Sequence, residues 1–211
     1  MIINIMGCVK MNIITYMDYI GVVAFAISGA FVAIQKRMDI FGIYILATIT
    51  AVGGGVMRDV VMNQGVPEFF KSYTTIFLTI AATAFAIAIR NVKRLQFLIT
   101  VSDAIGLAVF AINTGSKAIT LGYGLPEFLF MTTITAVGGG VIRDLLAQRV
   151  PAILRKDIYA VAAIIGSLFL WFTEPYLGLM LSMYISLFLI VAIRLLSIYY
   201  KINLPVFKIN P

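Results

Sequence analysis

The stretch TAVGGGVMRDV occupies residues 50–60, and TAVGGGVIRDL occupies residues 135–145. Each places three consecutive glycines, then an arginine and an aspartate, inside an otherwise apolar run. Every glycine in a helix costs about 1 kcal/mol relative to alanine, so each triplet costs roughly 3 kcal/mol before packing is counted. Charge next to apolar sequence adds a second cost if the surroundings are hydrocarbon.

Composition identifies those surroundings. The 211 residues are 62% hydrophobic and 12% charged, with a mean hydropathy of +1.04. A soluble domain carries about 25% charge. The apolar residues come in blocks, and a membrane helix needs about 20 such residues. Seven blocks fit, near residues 17–35, 39–62, 72–90, 97–117, 126–147, 157–173 and 175–198. Their short connections leave no room for a soluble domain. The expected fold is an all-α polytopic membrane protein of seven transmembrane helices, one membrane domain over residues 1–211. Residues 1–10 read as a weakly ordered leader rather than a cleaved signal, because the first apolar block recurs later in the chain.

That recurrence is an internal repeat. At an offset of 85 residues, Asp18 falls on Asp103, Gly21 on Gly106, Phe25-Ala26-Ile27 on Phe110-Ala111-Ile112, and Arg58-Asp59 on Arg143-Asp144. Between Asp18 and Asp59 the two copies share 19 of 42 positions without a gap. Shared hydrophobicity does not align charges and a glycine triplet. Repeat 1 covers about residues 17–94, repeat 2 about 95–174, and an extra helix lies near 175–200. Three helices per copy is an odd number, so the second copy enters the membrane from the opposite side. The expectation is an inverted repeat of three plus three helices with one C-terminal helix added, an architecture that places transport sites between its halves.

Chemistry is bounded by what is missing. With no histidine and one cysteine, histidine metal sites, Ser-His catalysis and an internal disulfide are excluded. A phosphate loop needs Gly-Lys-Ser/Thr after its glycines, and neither triplet has it. Asp59 and Asp144 would lie towards opposite faces, too far apart for a diaspartyl protease. No catalytic residue, metal site or cofactor is expected, and no enzyme activity. The net charge of +7 has no soluble basic surface behind it, so nucleic acid is not an expected partner; anionic membrane lipids are.

The triplets admit two uses. Small residues allow helices to pack closely, and glycine breaks can turn carbonyls towards a cavity. Two related triplets, each followed by charge, favour a pore or binding site. Thr50, Gly54 and Arg58 share one helical stripe, as do Thr135, Gly139 and Arg143. The second and fifth helices are therefore expected to be bent or broken at Gly53-Gly54-Gly55 and Gly138-Gly139-Gly140. Adjacent arginine and aspartate do not face each other on a helix, so Arg58-Asp59 and Arg143-Asp144 are not expected to form internal ion pairs. Asp18 and Asp103 are equally suited as helix N-caps and as partners for these charges.

The doubled AVGGGV-x-RD within three-plus-three-plus-one helices resembles the prokaryotic branch of the trimeric intracellular cation channel (TRIC) family, from about Asp18 to about Tyr200. The resemblance implies a homotrimer whose protomers each hold a pore for monovalent cations, potassium and sodium. It implies a pore lined by the second and fifth helices and kinked at the two triplets; their place on the glycine stripe, one turn earlier, puts Thr50 and Thr135 on the expected ion path. Arg58, Asp59, Arg143, Asp144, Asp18 and Asp103 are the charged pore or gating residues. Related bacterial domains are labelled glycine transporters, so the alternative is a secondary transporter of a small solute such as glycine.

Orientation follows from charge. Alternate crossings leave Lys10, Arg58, Lys71 and Lys117 on one face and the other 12 of the 16 basic residues on the opposite face. Basic residues gather on the cytoplasmic side. The expected location is the plasma membrane, with the N-terminus outside and the C-terminus cytoplasmic. A phosphatase reporter fused after Pro211 should be inactive and a fluorescent one bright; the reverse pattern would invert the topology.

Overall fold

The computed structural model describes residues 2–89, 95–154, 158–200 and 202, with side chains from residue 13 onwards. Eight α-helices follow in order: α1 (Ile2–Gln35), α2 (Ile40–Val61), α3 (Glu68–Lys71), α4 (Tyr73–Ala88), α5 (Leu95–Thr120), α6 (Leu125–Leu146), α7 (Ala160–Leu177) and α8 (Leu179–Tyr199). A 3₁₀ turn, Ala152–Leu154, lies between α6 and α7. Six helices are long and apolar enough to span a bilayer, and α4 is a shorter apolar helix of 16 residues. The seven expected segments are all helical. Residues 2–10, expected to be weakly ordered, are helical and continuous with the rest of α1.

Local chemistry sets the boundaries. Asp39 caps α2, its Oδ1 accepting from the Gly42 N–H at 2.7 Å, and Ser72 caps α4 through Thr75. Proline in the first turn of α6 needs no N–H partner there. Between α7 and α8 the chain reverses at Gly178, whose φ of 73° lies in the region glycine adopts without a Cβ clash.

The core forms where the two copies meet. Phe25 of α1 and Phe110 of α5, equivalent at the 85-residue offset, stack at 5.3 Å with their planes 18° apart. Each ring covers a glycine of the other copy. A Cβ on Gly106 would overlap the Phe25 ring, and one on Gly21 would stand 3.2 Å from Phe110. The extra helix α8 packs on α7, where Gly166 leaves room for Ile190.

The triplets mark the crossing of α2 and α6. Both helices run unbroken through their glycines, which corrects the expected break. A Cβ on Gly54 would overlap the carbonyl oxygen of Thr135, and one on Gly139 that of Thr50. The Cα of Gly139 is 3.5 Å from where a Gly53 Cβ would sit, and the Cα of Gly54 is 3.4 Å from where a Gly138 Cβ would sit. The pairing of 50 with 139 and 54 with 135 runs in opposite directions along the chain, so the helices cross antiparallel. Backbone-to-backbone contact offsets the helix-propensity cost, with Cα–H groups aimed at carbonyls.

Gly55 supplies an internal control, since a Cβ there would meet only Phe110, at 3.8 Å. Gly54→Ala and Gly139→Ala should each destabilise the detergent-solubilised protein by about 1–3 kcal/mol through overpacking. Gly55→Ala should be neutral or raise the melting temperature, since it adds helix propensity without a clash. Equal melting temperatures for all three variants would contradict this packing.

Candidate functional site: two arginine clusters flanking the glycine crossing

One helical turn beyond each triplet stands a buried arginine. Arg58 is 2% exposed and Arg143 is 3% exposed. Such a charge must be surrounded by acceptors, because removing it from water costs several kcal/mol.

Arg58 lies near the C-terminal end of α2. Its Nη1 is 3.2 Å from Asp18 Oδ1 on α1, its Nε donates to Asp59 Oδ1 at 2.8 Å, and its Nη2 is 3.5 Å from Glu68 Oε2. Asn113 of α5 donates to the same Asp18 oxygen. Lys117 reaches Asp18 at 3.4 Å and Glu68 at 2.9 Å. The remaining Asp59 oxygen, Oδ2, accepts from the Glu68 N–H at 2.9 Å and so fixes the start of α3.

The second cluster repeats the plan. Arg143 Nη1 is 2.6 Å from Asp103 Oδ1, and its Nε donates to Asp144 Oδ1 at 3.0 Å. Asp144 Oδ2 accepts from the Ala152 N–H at 3.0 Å. Where Asn113 served the first cluster, its equivalent Ser28 accepts from Arg143 Nη1 at 2.6 Å. Each copy thus lends one polar residue to the other copy's cluster, Ser28 to the arginine and Asn113 to the aspartate. Two further groups join only here. The Tyr159 hydroxyl donates to Asp103 Oδ1 at 3.2 Å, and Arg194 of α8 lies 4.5 Å over the Tyr159 ring.

Two sequence-based readings change. Neighbouring arginine and aspartate do pair in both copies, because the arginine stem curls back along its helix end while the aspartate's other oxygen caps the next segment. Asp18 and Asp103 lie well inside α1 and α5 and serve as ion-pair partners, not N-caps. Thr50 and Thr135 are fully buried. The Thr50 hydroxyl donates to Leu46 O at 2.6 Å and faces Gly29 of α1, so Thr50 brings its carbonyl, not its hydroxyl, to the crossing; Thr135 brings its carbonyl too, and its buried hydroxyl has no hydrogen-bond partner.

Asn113, Ser28, Glu68, Tyr159 and Arg194 were not singled out from sequence. Ser28 and Asn113 had a signal, since both are polar and occupy equivalent positions within apolar runs. Arg194 had only its place near the end of the last apolar segment.

Water-accessible space approaches both clusters. A cavity of about 500 Å³ is bordered by Asp59, Glu68, Lys71 and Lys117. A narrower one, about 50 Å³, runs past Asp18 and Arg58 to Gly55. At the other cluster a cavity of about 450 Å³ is bordered by Asp103, Arg143, Asp144 and Arg194. Because α2 and α6 cross antiparallel, these spaces lie at opposite ends of the crossing.

A doubled helical unit with charged clusters about a glycine crossing defines a class of polytopic membrane protein, and comparison with known proteins places it. The glycine transporter family model matches residues 15–90 and again 100–175, one match per repeat. The Escherichia coli K12 inner membrane protein YadS, of the UPF0126 group, is 36% identical over 206 residues, covering 94% of this chain and 98% of that protein. Bacillus subtilis YvgT, of the same group, is 37% identical over 191 residues, covering 90% and 94%. A prokaryotic TRIC channel crystallised in 0.5 M KCl superposes with a TM-score of 0.86 at 33% identity, over 91% of this chain and 98% of that one. The TRIC orthologue from Rhodobacter sphaeroides gives a TM-score of 0.85 at 26% identity, over 90% and 99%. The chain belongs to the family described by the glycine transporter model and is a prokaryotic TRIC-family protein. It is a multi-pass cell-membrane protein and not an enzyme.

Removing one partner from a buried ion pair costs about 3–5 kcal/mol. Arg143→Gln should therefore cost about that much in thermal or denaturant unfolding, because Asp103 and Asp144 both lose their partner. Adding Asp103→Asn to Arg143→Gln should restore part of the loss. Purely additive destabilisation by the two substitutions would mean that the pair is not coupled.

Proposed function

We propose that the protein is a monovalent cation channel, passing potassium and sodium along a path within each protomer between α2 and α6. The observation that carries the reading is the set of water-accessible cavities, two at one charged cluster and one at the other, that converge on opposite ends of the glycine crossing. Likeness to solved TRIC cation channels supports it. The two copies are read as an inverted repeat, in keeping with the antiparallel crossing of α2 and α6. The assembly is a homotrimer, with the N-terminus outside and the C-terminus in the cytoplasm.

The site residues divide the work. Gly53, Gly54, Gly55, Gly138, Gly139 and Gly140 form the constriction, with the Thr50 and Thr135 carbonyls against it. In this conformation the backbones touch, so the path is closed there and opens when α2 and α6 part. The freed carbonyls then offer oxygen to a dehydrating cation, as hard cations require. Arg58 and Arg143 are neutralised by Asp18, Asp59, Asp103 and Asp144. A change of partner by either arginine would alter the field on the path.

A second reading is a secondary transporter of a small solute such as glycine. The family description favours it, and two cavities divided by a closed centre also suit alternating access.

Purified protein in a planar bilayer separates the two. A channel gives unitary steps in potassium or sodium chloride, with reversal potentials that follow the cation gradient. Saturable glycine uptake into proteoliposomes without unitary currents would establish the transporter instead.

A further inference from the structure

The two ends of the glycine crossing share one plan but not one charge. Among the described residues, Asp103 and Asp144 border the cavity of about 450 Å³ together with Arg143, Arg149 and Arg194. At the other end, Asp18, Asp59 and Glu68 border the two cavities together with Arg58, Lys71 and Lys117. Three cations thus face two carboxylates at the first end and three carboxylates at the second, so the Arg194 end is the more positive by one charge.

The repeat identifies the residue responsible. Glu68 and Ala152 hold equivalent places, since each gives its N–H to the Oδ2 of the aspartate that follows the arginine. Lys117 falls on Val32 at the 85-residue offset. Exchanging Glu68 and Lys117 for alanine and valine removes one charge of each sign and leaves the balance as it was. Lys71 and Arg149 offset each other, one cation on each side. What remains is Arg194, on the helix that has no counterpart in the repeat.

Its charge is poorly compensated. Arg194 is 3% exposed, its Nε has no hydrogen-bond partner, and its Nη2 stands 3.9 Å from Asp103 Oδ2, beyond hydrogen-bond length. Asp103 already accepts from Arg143 and Tyr159 through Oδ1. The Tyr159 ring, 4.5 Å away, supports one face of the guanidinium without giving its N–H groups an acceptor. A charge held in a water-poor wall acts on the neighbouring cavity more strongly than one in bulk water.

We infer that Arg194 makes the protein conduct unequally in its two directions: its field depletes cations at one mouth, so cations enter more readily from the Arg58 end. The inference rests on the conduction reading above. It concerns the current that each mouth admits, not the parting of α2 and α6.

The test is the unitary current of the full chain in planar bilayers, with the same potassium chloride on both sides. In about 50 mM salt, where charges act over more than about 10 Å, current from the Arg58 end should exceed the reverse by roughly twofold. In about 1 M salt, where they act over about 3 Å, the two should be nearly equal. Arg194→Gln should raise the smaller current to the level of the larger. Glu68→Gln should lower the larger to the level of the smaller, so the sign is read whichever way the protein enters the bilayer. Arg194→Lys keeps the charge and should keep the asymmetry. Lys36→Gln, at an exposed position bordering none of these cavities, should leave it unchanged. Equal currents in the wild type at low salt overturn the inference, as does an asymmetry that survives Arg194→Gln or is lost in Arg194→Lys. Should Arg194→Gln fail to fold, Glu68→Gln decides, and an asymmetry that it leaves in place overturns the inference. Absence of unitary currents overturns the conduction reading and the inference with it, whereas symmetric currents overturn the inference alone.

Discussion

The contact on which the rest of the structure depends is the meeting of two bare backbones at Gly54 and Gly139. Lipid supplies no hydrophobic force between helices, so α2 and α6 must be held by packing and by polar groups in contact. Glycine allows the carbonyl of Thr135 to occupy the place of a Gly54 side chain, and that of Thr50 the place of a Gly139 side chain. The two contacts are images of each other under exchange of the copies. One crossing therefore fixes the register of both halves, and the four residues from each central glycine to its arginine, about 6 Å of helix, place the two charges on opposite sides of it.

The charges then settle the remaining contacts. An arginine so deep in the protein needs several acceptors, and they come from different segments: an aspartate from the copy's first helix and the aspartate next in sequence, with Ser28 of the other copy accepting from Arg143 and Asn113 of the other copy donating to the Asp18 that pairs with Arg58. The neighbouring aspartate works twice, pairing with the arginine through one oxygen and capping the next segment with the other. This is why Arg-Asp recurs as a unit in both repeats. Losing the aspartate would release both the guanidinium and the following turn.

The architecture was legible in the chain because its determinants are local or periodic. Apolar blocks of helix length mark the spans, and the 85-residue offset marks the copies. The use of the glycines was less legible. Their propensity cost is the same whether the helix breaks or packs, and only the position of the Thr50 and Thr135 carbonyls decides for packing. Pairing within Arg58-Asp59 escaped a rule built on helical phase, because a long side chain at a helix end reaches past its own stripe. Asn113 and Ser28 escaped because equivalent positions were compared for identity and not for shared polarity.

Arg194 departs from the symmetry that organises everything else. Asp18, Asp59 and Glu68 face Arg58 and Lys117 at one cluster, so carboxylates exceed cations there by one. At the other, Asp103 and Asp144 face Arg143 and Arg194, and the charges balance. Without Arg194 the second cluster would carry the same excess of one carboxylate, Asp103 and Asp144 against Arg143. The difference arises from the cation that α8 adds at one end, because Glu68 and Lys117, which join the other, cancel. The fields at the two ends of the crossing are consequently unequal, although the helices around it are built to one plan.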